Sequence, residues 1–377
     1  MNEPERIRLT YHLTCSNRED AAQRAREIAL EQTVELPEGA FPPELEEQVV
    51  GRLESIAPLD EGRWRVVISH EPGGAGEDLP QLLNLLFGNI SLQTGIRLVD
   101  VALPQSVLAR LPGPRFGIPG LRKLTARHDG RPLLCVAIKP VGLSAKELAG
   151  LCGRFAAAGI DVVKDDHGLT NQASAPFAER VRRCQEAVNE ANATTGGAAV
   201  YAPNVTSPVD VLGERLELAR RHGCRAVLLS PFLVGLDAVR WVAECFEMAV
   251  LSHPALTGVY FYPFHGIAPD VLLGTLFRMA GSDGVIYPNA GGRFPFTRRT
   301  CEAINSRLRS DLGRMRPTMP MPGGGVEIEL IPEWVEAYGA DTMFLVGASL
   351  YRQRDPAAAA RRLVETVQRL SPATGPG

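Results

Sequence analysis

Four consecutive residues, Lys164-Asp165-Asp166-His167, put an amine, two carboxylates and an imidazole side by side. Clustered ionisable groups of this kind perturb one another and mark sites. Alternate side chains of a strand face the same way, so a strand ending here points Lys164 and Asp166 together, with His167 turning in at its end. Asp166, His167 and a chemically modified Lys164 make a donor set for a divalent metal. An unmodified ammonium would be repelled by the cation, whereas a carbamate on Lys164 would present an anionic oxygen. Hard ligands and open positions suit Mg2+. The competing use of the same residues is a buried ion pair between Lys164 and Asp165 or Asp166.

Lysine is scarce elsewhere. Of 40 basic residues only Lys123, Lys139, Lys146 and Lys164 are lysines. A coding bias replaces Lys by Arg wherever charge alone matters; a retained Lys offers a shiftable pKa and a nucleophilic amine. Lys139, in Ile138-Lys139-Pro140, is a candidate general base, because a lysine near a metal in a dry site can abstract a proton alpha to a carbonyl. An ion pair at a rim is its structural alternative. Further along, Gly323-Gly324-Gly325 and Gly347-Ala348 are turns whose free N–H groups suit an anion. Arg293 follows Gly291-Gly292 in a loop able to close over that anion, and Asn289 lies just before it. His265, after Pro263-Phe264, is a further pocket candidate. His12, His70, His128, His222 and His253 have no partners nearby in sequence and read as structural or exposed.

The elements that would position these residues are legible as a period. From about Arg131, short apolar runs alternate with helical stretches: Leu133–Ile138, Val162–Val163, Ala199–Ala202, Ala226–Leu229, Gly258–Tyr262, Gly284–Tyr287, Thr318–Met321 and Thr342–Val346. Continuous apolar runs suit strands buried on both faces. Eight βα units predict a (β/α)8 barrel, whose chemistry sits at the C-terminal strand ends, where the candidates fall. Ser144 and Glu147 have capping-box spacing before the first helix. Upstream, strands at Arg6–Leu13, Gly62–His70 and Ile96–Leu103, helices at Asn17–Leu30 and Leu79–Phe87, and one more strand at either Gln32–Leu36 or Glu47–Ser55 give the order of a ferredoxin-like domain. The expected fold is thus α/β: an α+β ferredoxin-like domain over 1–118, a (β/α)8 TIM barrel over 119–370, and a flexible tail over 371–377.

Composition narrows the class. With 377 residues, 45% hydrophobic and 22% charged, the chain reads as an ordinary globular protein. Its net charge of −3 argues against a nucleic-acid partner. No apolar run is long enough to span a bilayer, and Met1–Thr10 lacks a signal peptide's apolar core, so a cytoplasmic location is expected. Seven scattered cysteines without a CxxC pair read as small buried hydrophobes.

With these residues in place, GRPLLCVAIKPVGLSAKELA followed by GIDVVKDDHG resembles the strand-one and strand-two signature of the RuBisCO large-chain superfamily. The resemblance continues through FRMAGSDGVIYP, MPMPGGGV and GADTMFLVGAS. LLFGNIS is similar to the segment that carries an active-site Asn, here Asn89, and EIALEQTVELPEG to the one that carries an active-site Glu, here Glu31. The resemblance implies that Lys139 moves the proton, that Lys164 is carbamylated, and that Asp166 and His167 join it on Mg2+. It also implies phosphate binding by Gly324, Gly325, Gly347 and Ala348, and a homodimer in which Glu31 and Asn89 enter from the partner subunit.

The departures separate the chain from the carboxylases. Val141-Gly142 replaces a second Lys, Arg293 stands where the mobile loop has a Lys, Gly323 replaces a Ser, no Thr-Trp pair occurs around Gln32–Leu36, and His167 replaces a Glu. What remains implies a RuBisCO-like protein that enolises a small phosphorylated ketose without fixing CO2. The leading expectation is 5-methylthioribulose-1-phosphate isomerase chemistry in methionine salvage. The alternatives are a 2,3-diketo-5-methylthiopentyl-1-phosphate enolase, a 3-oxo-isoapionate-4-phosphate decarboxylase-type enzyme and a non-enzymatic scaffold.

Overall fold

The computed structural model describes residues 5–60 and 62–370. The tail expected over 371–377 lies outside the described residues. Alternation at the N-terminus forms β1 (Ile7–Thr14), in which Ile7, Leu9, Tyr11 and Leu13 are buried while Arg8 and Thr14 are exposed. β2 (Arg52–Asp60), β3 (Arg63–His70) and β4 (Ile96–Ala102) join it antiparallel in the order β4-β1-β3-β2. The helices Arg18–Glu31 and Leu79–Phe87 complete the ferredoxin-like pattern. Each begins at a side-chain cap: Asn17 accepts from the Asp20 N–H, and Asp78 from that of Gln81. Of the two places offered for β2, the chain uses the second.

The barrel strands follow: β5 (Leu133–Ile138), β6 (Val162–Asp165), β7 (Val200–Ala202), β8 (Ala226–Leu229) and β9 (Ala249–Ser252). Then β10 (Gly266–Ile267) pairs in parallel with β4, and β11 (Gly284–Pro288), β12 (Met319–Gly323) and β13 (Met343–Val346) return to the barrel. Its eight strands run in the order β7-β6-β5-β13-β12-β11-β9-β8. A parallel bridge between Asn204 and Leu228 joins the β7 and β8 ends. Alternate residues fill the interior: Leu133 and Cys135, Ala226 and Leu228, Ala249 and Leu251, Met319 and Met321. Ile118 and Leu121, on the helix Gly117–Leu124, pack against this core. The expected capping box is present: Ser144 and Glu147 exchange side-chain and backbone hydrogen bonds at the start of Ala145–Ala157.

One expected strand is overturned. Gly258–Tyr262 is not the fifth barrel strand; Thr257–Tyr260 is a 3-10 turn, and the fifth strand is β9. The aromatic run Val259-Tyr260-Phe261-Tyr262 has strand composition but leads into β10. There Ala268 N donates to Leu98 O at 2.9 Å and the Arg63 guanidinium lies 5.5 Å from the Phe264 ring centre. The true strand is four residues long and follows the preceding helix so closely that it reads as that helix's end. Contacts divide the chain accordingly. One unit holds the residues up to Pro112 with Thr257–Met279 and Leu312–Met315; the other holds Gly113–Leu256, Ala280–Asp311 and the chain from Arg316. Among the described residues no helix is long and apolar enough to cross a membrane.

Candidate active site

The alternation of β6 sorts its charged residues. Val162 belongs to the barrel interior, and Lys164, two residues on, is buried with it. The Lys164 amine donates to the Asp165 backbone carbonyl at 2.9 Å, and among the described residues no carboxylate is its ion-pair partner. Burial lowers its pKa below the usual lysine value; Lys139 adds to this, while Cys135 and Asp166 oppose it. Asp165 faces the other way, with its carboxylate against Arg180 and Tyr201. The two acids of the motif therefore differ in kind.

Asp166 is the hub. Its Oδ2 lies 2.7 Å from Lys139 Nζ at the end of β5, and its Oδ1 lies 2.8 Å from His167 Nδ1. Burial disfavours its charge, but hydrogen bonds from His167 and Lys139 and the charges of Lys139 and Lys164 outweigh that and hold the carboxyl well below the usual range. Nδ1 is thus the His167 nitrogen that donates to Asp166, and in the neutral ring Nε2 is the one that accepts. Lys139 has 40% of its side chain exposed, open to a ligand. Its backbone N–H donates to Tyr351 OH at 3.2 Å, and that hydroxyl donates to Ala137 O at 3.0 Å, so the helix after β13 braces the end of β5.

His253 was missed by sequence reasoning. It directly follows β9, and its ring stacks on His167 with centroids 4.3 Å apart and planes 8° from parallel. Burial, then the charges of Lys164 and His167, depress its pKa well below the ordinary imidazole value, so the ring is neutral. Its Nδ1 accepts from Ala255 N at 3.2 Å, which puts the proton on Nε2. The signal was the short run Ala249-Val250-Leu251-Ser252 ahead of it.

The glycine turns end β12 and β13 as expected. Gly324 and Gly325 have φ of 67° and 140°. The turn after β11 packs directly on them: a Cβ on Gly292 would meet Gly324 O at 1.9 Å, and one on Gly325 would meet Gly292 Cα at 2.6 Å. Asn289 is fully buried, its Oδ1 accepting from Tyr338 OH at 2.9 Å while its Nδ2 has no partner. Arg293 is exposed, 5.0 Å from the Phe294 ring centre. Gly347 and Ala348 begin the turn after β13, where the buried Ser349 hydroxyl also lacks a partner. An unpaired amide donor beside side-chain-free turns is what an anion would satisfy.

The remaining candidates lie in the first unit. Asn89 Nδ2 donates to Glu31 Oε1 at 3.1 Å, so those two residues are a pair in one chain. His265 stands 5.8 Å from the Phe87 ring. It does not stand at the end of a barrel strand, because the strand it was assigned to is the one overturned above.

Among the described residues no three His, Cys, Asp or Glu side chains converge to hold a metal. A three-ligand site would need a donor of another kind, and Lys164 is the buried neighbour that could supply one as a carbamate. The donor set fits on that condition: Asp166 is an ionised carboxylate, His167 Nε2 is free to accept, and burial favours the neutral Lys164 amine that reacts with CO2.

The family pattern of the ribulose bisphosphate carboxylase large chain, catalytic domain, matches residues 117–363. Ribulose bisphosphate carboxylase-like protein 1 of Rhodopseudomonas palustris is 43% identical, covering 93% of this chain and 94% of its own. The 5-methylthioribulose-1-phosphate isomerase of Rhodospirillum rubrum is 38% identical, covering 93% of each. The crystal structure of a Rubisco-like protein from Rhodopseudomonas palustris superposes with a TM-score of 0.87 at 38% identity, covering 100% of both chains. The chain belongs to the ribulose bisphosphate carboxylase large-chain family, among its RuBisCO-like members.

Proposed function

We propose that this protein enolises a phosphorylated ketose, and that its substrate is 5-methylthioribulose 1-phosphate, which it isomerises by 1,3-proton transfer. The observation that carries this reading is the Lys139–Asp166 pair beside a buried Lys164 at the ends of β5 and β6. The Rhodospirillum rubrum relative supports the choice of substrate.

Lys164 as a carbamate, Asp166 and His167 are the proposed holders of Mg2+. When bound there, the metal would polarise the ketose carbonyl and acidify the carbon beside it. Lys139 takes a proton from that carbon and returns one two carbons along, the half-exposed amine being the group placed to touch substrate. Asp166 holds Lys139 in register, and His167 keeps Asp166 ionised. The neutral His253 ring lies flat on His167 and offers its Nε2–H to the substrate's oxygens. The turns at Gly324, Gly325, Gly347 and Ala348, with the Asn289 amide and Arg293, receive the phosphate. A homodimer in which Glu31 and Asn89 serve the partner's barrel, and a cytoplasmic location, are part of the same proposal.

The test is proton NMR in D2O with Mg2+, bicarbonate and 5-methylthioribulose 1-phosphate. Deuterium uptake with an isomerised product is expected. Exchange without net product would keep the enolate and discard the isomerisation. No exchange would sink this substrate and turn attention to the diketone phosphate.

A further inference from the structure

Asp165 sits between the reactive residues in sequence, and its carboxylate turns away from them. It is fully buried, and its carboxylate accepts three hydrogen bonds: from Arg180 Nε at 3.1 Å, from Tyr201 OH at 2.7 Å and from the Asn204 N–H at 2.9 Å. Arg180, also fully buried, goes on to the carbonyls of Ala175 and Thr170, each at 2.7 Å, and so ties the loop after β6 to the same carboxylate. Asn204 donates its side-chain amide to the His167 carbonyl at 2.9 Å, and its Oδ1 accepts from the Thr206 N–H. These bonds hold the side chain of Asp165 and the carbonyl of His167, and so brace the backbone between them. The Asp165 carbonyl is in turn what the Lys164 amine donates to.

We infer that Asp165, with Arg180 and Asn204 behind it, is a positioning group for Lys164: it fixes the carbonyl that holds the amine, and so fixes where the amine meets CO2. The inference rests on the reading of Lys164 as the lysine that is carbamylated. In that step the neutral amine's lone pair forms a bond to the carbon of CO2. One carbon–oxygen π pair becomes a carboxylate lone pair, and one amine proton leaves to solvent. An amine whose nitrogen is held in one place reacts at one place. An amine whose carbonyl anchor shifts is spread over several rotamers, few of which bring its carbamate to Asp166 and His167. A buried arginine–carboxylate pair is weak evidence of stabilisation in itself, whereas fixing a neighbouring backbone atom is a use that requires this pair.

The experiment is 13C NMR of the whole chain with 13C-labelled bicarbonate and Mg2+, below the melting temperature of every variant as read by circular dichroism. Wild type should show a carbamate resonance that Lys164→Ala lacks. Asp165→Asn should cut that resonance at least about tenfold in samples that are still folded, an effect that a purely structural role would not produce. Tyr201→Phe removes one of the three hydrogen bonds and keeps the ion pair, so it should fold and lose a few-fold of the resonance at limiting bicarbonate. A folded Asp165→Asn with the wild-type resonance overturns the inference. If Asp165→Asn does not fold, Tyr201→Phe decides: a reduced resonance supports it and an unchanged one overturns it. A wild-type spectrum indistinguishable from that of Lys164→Ala instead fells the carbamate reading and the inference with it.

Discussion

The two sides of the barrel mouth are built on opposite principles. At the ends of β5 and β6 the chemistry is carried by side chains: Lys139, Lys164, Asp166 and His167 cluster, and their neighbours' charges act on Lys164 and Asp166. At the ends of β11 and β12 side chains are excluded: Gly292 packs on the Gly324-Gly325 turn so closely that a methyl on Gly292 or Gly325 has no room. The first side depends on which functional groups are present, the second on which atoms are missing. Removing a group should be costly on one side, and adding a carbon costly on the other.

The largest expected effect is on the side-chain half. Lys139→Ala should lower proton exchange about 10²- to 10⁴-fold, the usual contribution of a positioned acid–base group. Its side chain is 40% exposed and the His167 bond to Asp166 remains, so the fold should survive with the melting temperature lowered by only about a few degrees. Near-normal turnover in this variant would mean that another group moves the proton. Asp166→Asn follows, at about 2 kcal/mol of stability at neutral pH, because it breaks two charge-assisted hydrogen bonds. The sign of its pH dependence is fixed. The folded-state pKa of Asp166 is depressed, so its stabilisation is fully present above the unfolded value near 4 and is lost as pH falls through the folded one. Urea melts should therefore show the gap between wild type and Asp166→Asn at pH 7 and a smaller gap at pH 3. A gap independent of pH would show that the charge of Asp166 contributes nothing.

On the backbone half, Gly325→Ala should cost about 2 kcal/mol, from its φ of 140° and the 2.6 Å approach to Gly292 Cα. The phosphate turn should loosen with it and raise KM. A variant as stable as wild type would mean that the two turns can separate, and the contrast drawn above would soften.

The same contrast governs what the sequence discloses. Side-chain chemistry is written in residue types: the Lys-Asp-Asp-His run and the retained lysines pointed to the β5–β6 side, and the period of two sent Lys164 inward. That period also required Asp165 to face outward, but its partners Arg180 and Tyr201 lie 15 and 36 positions away, and only the fold brings them there. The barrel itself was legible because eight apolar runs recur at βα spacing. The one wrong strand arose where composition misled: an aromatic segment that pairs with β4 outweighed the four-residue β9. With β9 misplaced, His253 lost its position at a strand end and His265 gained one it does not hold. Close backbone packing such as that of Gly292 on Gly324 has no sequence signature beyond glycine itself.

Gly347→Ala gives the smallest effect and the finest test. A Cβ there would meet nothing within 4 Å, and its φ of −127° is open to any residue. Stability should stay within about 0.5 kcal/mol of wild type. The backbone N–H survives the substitution, so any change in binding must come from the space the methyl takes. If the phosphate rests on this turn, KM should rise about tenfold while kcat and the melting temperature stay put, separating a contact made equally in ground and transition states from one made by the reacting groups. An unchanged KM would show that the anion does not approach Gly347. The backbone half would then shrink to the packed glycines of β11 and β12, with Asn289 and Arg293 as its side-chain donors.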